Sequence, residues 1–283
     1  MTEPASHYAE LQKHYASQPR EVSIETQALC NARCVFCPYP TLERIGTKMP
    51  DDMLDRIVDE MATFTTPFLF SPFKVNEPFL DKRLMPLCRK FNERVPRGAL
   101  RLFTNGSALT QSHIDGVAAL ERVVHLWISL NEHEADKYEA TMGLSFAHTA
   151  RNLDRLHESV TRGEFPHRVV VSRVGAARGF REYVSQRWPL FQVAFIKHDA
   201  WIDFTYADDL EVPNAPCVRW WELNITASGK ASLCCMDSTG DYGFGDLRDS
   251  TLLEIYNHPT YRSWREGLMS RRDVGNPCHR CTY

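Results

Sequence analysis

Short apolar or alternating runs, separated by stretches with a three-to-four-residue apolar repeat, divide most of the chain into a regular succession. Val22-Ser23-Ile24-Glu25-Thr26 alternates apolar and polar side chains and predicts a first strand over 21–27. A short helix is expected before it, over 5–18. After Pro50-Asp51-Asp52 the apolar positions Met53, Leu54, Ile57, Val58 and Met61 recur at helical spacing, with acidic residues in the first turn. Further strands are predicted over 68–73, 100–103, 123–129, 168–172 and 191–196. Helical segments are predicted up to about residue 95, over 110–120 and across 135–162.

This succession is six β-then-α units of about 25–40 residues each, a rhythm that argues for a parallel sheet. Six units are too few to close an eight-stranded barrel. In such folds ligands gather at the C-terminal ends of the strands. The polar turns Asn76-Glu77-Pro78, Thr104-Asn105-Gly106, and Ser129 with Asn131 all fall at those ends. Each has a purely structural alternative: Asn-Gly is a common turn pair, and Glu77 can cap the following helix.

After Ala200 the pattern changes, with Pro213, Pro216 and the pair Trp220-Trp221. Residues 222–226 and 230–235, joined by Ala227-Ser228-Gly229, read as a β-hairpin. Asp249-Ser250-Thr251 precedes one helix, and a second is expected from about Pro259 to Met269. The expected organisation is an N-terminal segment over 1–20, an α/β domain over 21–199 and a small C-terminal domain over 200–283.

The net charge of −3 gives no electrostatic case for nucleic acid or an anionic membrane. No apolar run approaches the about 18 residues of a membrane span, and the N-terminus lacks a signal-peptide core. A cytoplasmic protein is expected. In that setting 9 cysteines point to metal more than to disulfides. Cys30, Cys34 and Cys37 cluster in a C-x3-C-x2-C loop directly after the first strand. Three thiolates hold three corners of a four-iron cubane and leave one iron open to a ligand that is not protein. A zinc knuckle with a borrowed fourth ligand is the alternative. Cys217, Cys235, Cys278 and Cys281 form a full four-thiolate set for a second cubane, or for a zinc ribbon. Cys235 is chosen over its neighbour Cys234 because adjacent residues on a strand face opposite ways. Cys88, alone within a predicted helix, reads as a core residue.

The C-x3-C-x2-C loop, with Phe36 before its last cysteine, resembles the signature of the radical S-adenosylmethionine (radical SAM) enzymes. The resemblance implies an open (β/α)6 partial barrel. It also implies a [4Fe-4S] cluster that binds S-adenosylmethionine and cleaves it to a 5′-deoxyadenosyl radical. Asn76-Glu77-Pro78 occupies the place of the family's Gly-Gly-Glu-like motif, which receives the methionine amino group; Asn76 departs from the glycine usual there. Thr104 and Asn105 lie on the same rim. Ser129 and Asn131 match positions that meet the ribose. Ser172 and Arg173 match positions that reach the ribose or the methionine carboxylate, and the fork of Arg173 suits the carboxylate. The C-terminal pattern, including Phe244-Gly245-Asp246-Leu247 and the closing C-x2-C, resembles the shortened SPASM, or twitch, extension and implies a second [4Fe-4S] cluster.

Within that family the layout is most similar to the dehydrogenase type of 2-deoxystreptamine biosynthesis. This implies a small polar sugar- or aminocyclitol-like substrate, a two-electron oxidation with the second cluster as electron acceptor, and an external one-electron donor such as flavodoxin or ferredoxin. A radical epimerase, with Cys234 as hydrogen donor, is the main alternative. Peptide or carbon-skeleton modification is another, although the roughly twenty residues before the first strand are too few for a leader-peptide or cobalamin domain. A zinc-stabilised binding module without catalysis is the reading outside enzymology. Tyr39, Phe73, Trp201, Arg219 and Asp237 are candidates for a pocket wall.

Overall fold

The computed structural model describes residues 5–197, 201–204 and 211–282. Eight strands form one sheet: β1 (Glu21–Ile24), β2 (Phe68–Ser71), β3 (Gly98–Thr104), β4 (Val123–Ser129), β5 (Val169–Val174), β6 (Gln192–Ile196), β7 (Glu222–Ile225) and β8 (Ala231–Ser232). Their spatial order is β6-β5-β4-β3-β2-β1-β7-β8. Every neighbouring pair is parallel except β7 with β8. The first six strands therefore follow chain order, which helical crossovers of a single hand produce. The crossovers carry α2 (Asp51–Ala62), α3 (Leu84–Arg94), α4 (Gln111–Ala118), α5 (Ala135–Met142), α6 (Phe146–Thr161) and α7 (Phe180–Arg187). The expected open α/β partial barrel is present.

A parallel sheet covered on both faces is normally apolar on both. Here the two faces differ. Val22, Ile24, Phe70, Leu102, Ile128, Val171, Leu223 and Ile225 pack with the helices in one continuous core. On the other face the same strands present Glu21, Ser23, Arg101, Trp127, Glu222 and Asn224 to a cavity. The register places Glu21 beside Glu222 and Ser23 beside Asn224. The sheet thus has a dry side and a polar lumen.

The C-terminal part is not a separate layer at this point, since β7 extends the barrel sheet along the free edge of β1. A second core joins Tyr8 and Leu11 of α1 (Ala5–Tyr15) to Trp220, Trp221, Leu233 and to Tyr261 and Trp264 of α9 (Pro259–Glu266), which follows the short α8 (Leu252–Tyr256). The N-terminal segment therefore packs with the C-terminal part. The boundary expected at 199–200 lies largely outside the described residues.

Several element ends differ from expectation for local reasons. β1 stops at Ile24 because Gln27 turns to pair with Lys48. β2 stops at Ser71 because Pro72 has no N–H for a ladder. The second hairpin strand, expected over 230–235, covers two residues only. Asp237 draws the chain out of the ladder: its carboxylate accepts the N–H groups of Leu233 (2.9 Å), Gly240 (2.9 Å), Asp241 (3.2 Å) and Tyr242 (3.2 Å).

Candidate active site

A cavity of about 420 Å³ opens at the C-terminal ends of the strands and runs down into the polar lumen. Its size lies within the range of small-molecule sites. Cys30, Cys34, Cys37, Phe36, Asn76, Glu77, Thr104, Asn105, Ser129 and Asn131 all line it. The three-cysteine loop is held there by α5, whose last carbonyls lack partners inside the helix. Met142 O accepts Arg33 N–H at 2.9 Å and Thr141 O accepts Val35 N–H at 3.0 Å. Gly143 allows this approach: it ends α5 at φ +66°, and an added Cβ would press on Arg33 at 3.3 Å. Burial, followed by the neighbouring charges of Glu77 and Cys37, pushes the Cys30 thiol up to about 12. Burial and the neighbouring Cys37 and Cys30 raise Cys34 as well.

Glu77 ties three turns of the rim together. Its backbone N–H donates to Leu29 O at 2.9 Å, in the approach to the cysteine loop. Its carboxylate accepts Asn105 N–H (2.6 Å), the Thr104 hydroxyl (2.9 Å) and Phe79 N–H (3.2 Å). Burial pushes this carboxyl up to about 7, against the pull of those donors. Glu77 is therefore both the cap suggested by its position and a rim residue. Asn105 Nδ2 donates to Asn31 Oδ1 at 2.8 Å, so the third turn reaches back to the cysteine loop. Asn131 adopts the left-handed φ of 63° directly after β4, and its Oδ1 accepts Val174 N–H at 3.1 Å.

Other expected rim residues lie elsewhere. Pro78, Ser172 and Arg173 do not line the cavity. Ser172 Oγ accepts the Trp127 indole N–H at 2.8 Å, which orients that ring. Arg173 is turned along the rim, donating to Val174 O (2.8 Å), Gly175 O (3.1 Å) and Glu132 (3.1 Å). Nη1 and Nη2 are thus taken by protein oxygens, while Nε is buried without a partner. Of the wall candidates Tyr39, Phe73, Trp201 and Arg219 line the cavity, whereas the Asp237 carboxylate is spent on its own loop.

The second thiol group sits beyond the cavity wall. Because β8 ends at Ser232, strand alternation does not apply to Cys234 and Cys235. Cys234 is buried, and its thiol is raised by burial and then by Cys235, Cys217 and Cys278. Cys278 is likewise pushed up to about 12 by burial, with Cys217 and Cys281 contributing. Cys234 thus has Cys235, Cys217 and Cys278 as neighbours, and Cys281 neighbours Cys217 and Cys278. Cys235 lines the cavity and Cys234 does not. Cys88 is fully buried in the main core, away from both groups.

The lumen residues Glu21, Ser23, Arg101, Phe103, Trp127, Glu222 and Asn224 escaped the sequence reading. A signal was present: polar residues alternate with apolar ones in Glu21–Ile24 and Glu222–Ile225, in strands of a kind otherwise apolar on both faces.

The fold and rim define a class first: an open α/β barrel whose ligand cavity lies beneath a three-thiol loop. Residues 24–172 match the Radical SAM superfamily and residues 217–282 the SPASM iron–sulfur cluster-binding domain. The first match spans more than half of the chain, and the chain belongs to the radical SAM superfamily. Among solved structures it is similar to BtrN in complex with AdoMet (S-adenosylmethionine) and 2-DOIA, at 16% identity and TM-score 0.62, with 93% of each chain covered. It is also similar to Streptococcus suis SuiB bound to precursor peptide SuiA, at 13% identity and TM-score 0.68, covering 92% of this chain and 70% of that one. A third similar structure is anSMEcpe with bound AdoMet, at 14% identity and TM-score 0.64, covering 88% and 82%. No curated protein sequence matches.

The protein is a radical SAM enzyme with a SPASM domain, and its cofactors are [4Fe-4S] clusters and AdoMet. The residues fit them: three cysteines line one cavity, Cys217 and Cys278 share a dry core with Cys234 and Cys281 as neighbours, and sulfur-only donor sets suit iron–sulfur clusters. Among the described residues no helix is long and apolar enough to cross a membrane.

Proposed function

We propose that this enzyme carries out a two-electron oxidation of a small, polar, sugar- or aminocyclitol-like molecule. Cys30, Cys34 and Cys37 would hold the AdoMet-binding cluster, and Cys217, Cys234, Cys278 and Cys281 the auxiliary one. When bound, the first cluster would supply the electron that splits AdoMet, and the second would offer an acceptor for the electron released by the substrate. Glu77 is held by three donors with its carboxylate in the cavity, where it suits the AdoMet ammonium. Asn131 and Ser129 offer polar atoms on the same rim for the ribose. Phe73 stacks on Phe103 at 4.9 Å, and Phe103 meets Trp127 at 6.2 Å, giving an aromatic wall that keeps water from the reacting carbon.

The observation that carries this reading is the continuity of the cavity. It runs from the three-thiol loop to a lumen lined by Glu21, Ser23 and Asn224, with Cys235 of the second thiol region in its wall. A small substrate in that lumen would lie between the two cluster sites. A flavodoxin- or ferredoxin-type protein is the proposed electron donor. One observation favours radical epimerisation as a second reading: Cys235 lines the cavity, where a thiol could return a hydrogen atom.

The test incubates anaerobically reconstituted enzyme with dithionite, AdoMet and a panel of aminocyclitols, amino sugars and short peptides in heavy water. A product two mass units lighter than its substrate supports oxidation. An isomer carrying one solvent deuteron at carbon supports epimerisation. Turnover of peptides alone overturns both.

A further inference from the structure

Asn224 is 1% exposed and lines the cavity, yet neither its Nδ2 nor its Oδ1 has a hydrogen-bond partner in the protein. Buried amides are rarely left in this state, because an unmade hydrogen bond costs the full desolvation of the group. The neighbouring strands do not relieve it. Ser23 stands beside Asn224 on β1 and Ser232 on β8, and the Ser232 hydroxyl is itself buried without a partner. One side chain thus offers an unused double donor and an unused acceptor to the lumen.

The two carboxylates on the neighbouring strand positions are already matched. Glu21 accepts Arg101 at 2.5 Å and the Ser71 hydroxyl at 2.7 Å. Glu222 accepts Arg20 at 2.6 Å and Arg219 at 3.2 Å. The lumen floor therefore asks for hydrogen bonds more than for a counter-ion. The adjoining aromatic wall offers flat apolar faces to the C–H side of a ring.

We propose that Asn224, with Ser23 beside it, is the substrate-anchoring subsite, and that it takes a polyhydroxylated ring through an adjacent pair of hydroxyls or a hydroxyl beside an amine. A hydroxyl both donates and accepts, so such a pair completes both ends of the amide at once. The anchor comes from β7, within the part of the chain that matches the SPASM domain, and not from the radical SAM match. The C-terminal extension would then choose the substrate as well as hold a cluster. This inference rests on reading the cavity as the AdoMet and small-substrate site.

The test uses reconstituted, AdoMet-loaded enzyme and the probes myo-inositol, glucosamine and 2-deoxystreptamine in isothermal titration calorimetry. Wild-type protein is expected to bind at least one probe, and Asn224→Leu to bind it at least about tenfold more weakly. Iron content and AdoMet affinity should be retained. The thermal midpoint of Asn224→Leu without probe should equal or exceed that of the wild type, since an orphaned amide has been replaced by an apolar group. Asn224→Ala carries the same two readouts if the leucine variant does not fold. Unchanged probe binding, or a lowered midpoint in the alanine variant, overturns the subsite and leaves the reaction class standing. Failure of the wild type to bind any probe while it binds AdoMet overturns the polyol substrate and the subsite together.

Discussion

Glu77, after β2, accepts the backbone N–H of Asn105, after β3, at 2.6 Å. This bond joins the turns after two strands, 28 residues apart in sequence, through one carboxylate oxygen. With the Thr104 hydroxyl and Phe79 N–H also donating, the carboxylate is placed before any ligand arrives. Preplacement lowers the ordering cost of binding an ammonium group. Glu77→Gln should keep the acceptor contacts in part and lose the charge. AdoMet affinity is expected to fall about ten- to hundredfold, the worth of one charge-assisted hydrogen bond. Equilibrium dialysis on reconstituted protein checks this, with iron content unchanged as the control.

His125 on β4 is buried, and neither ring nitrogen has a hydrogen-bond partner. Burial, followed by the nearby Arg101 and Arg168, pushes its pKa down to about 4. The unfolded chain protonates this group near 6.5. Between those values the unfolded state binds a proton that the native state refuses, so stability falls as pH drops from about 6.5 towards 4. In the His125→Phe variant, unfolding midpoints measured across that range should decline less steeply than in the wild type. An identical slope would show that other groups set the acid limit.

The same residue shows how far the sequence could be read. Strand β4 was legible as an apolar run, but which of its residues face the lumen depends on a register that only the neighbouring strands define. The rim was legible because turn residues mark strand ends whatever the packing. The partners of Arg173 were not, since a neighbouring carbonyl and Glu132 take two nitrogens of its fork, and these are known only once the loops are folded. The choice between Cys234 and Cys235 could not be read from the sequence for a similar reason. Strand alternation was assumed, and the Asp237 carboxylate ended the strand first.

Arg265 has no exposed surface and lies over the Tyr256 ring at 3.8 Å. Its guanidinium donates to Tyr256 O at 2.7 Å and, more loosely, to Ala16 O and Trp220 O at 3.4 Å. One cation thus stitches the end of the N-terminal segment to α9 and to the tryptophan pair. Arg265→Met fills similar volume but leaves three buried carbonyls short of a donor. A loss of about 2–4 kcal/mol is expected in denaturant unfolding, summing unmade hydrogen bonds and the cation–π contact. Arg265→Lys should recover only part of it, because an ammonium lacks the planar fork.

Adjacent cysteines make opposite predictions for iron content. Cys234 is buried beside Cys217 and Cys278, whereas Cys235 lines the cavity. If Cys234 completes the auxiliary set, Cys234→Ser should leave that cluster incompletely held. Iron should fall from about eight atoms per chain towards about four. Cys235→Ser should keep about eight and alter only what happens in the cavity. Colorimetric iron assay and Mössbauer spectra of the two reconstituted variants separate the cases. A full complement in Cys234→Ser with loss in Cys235→Ser would restore the assignment made from strand alternation. It would also return Cys234 to the search for a hydrogen donor.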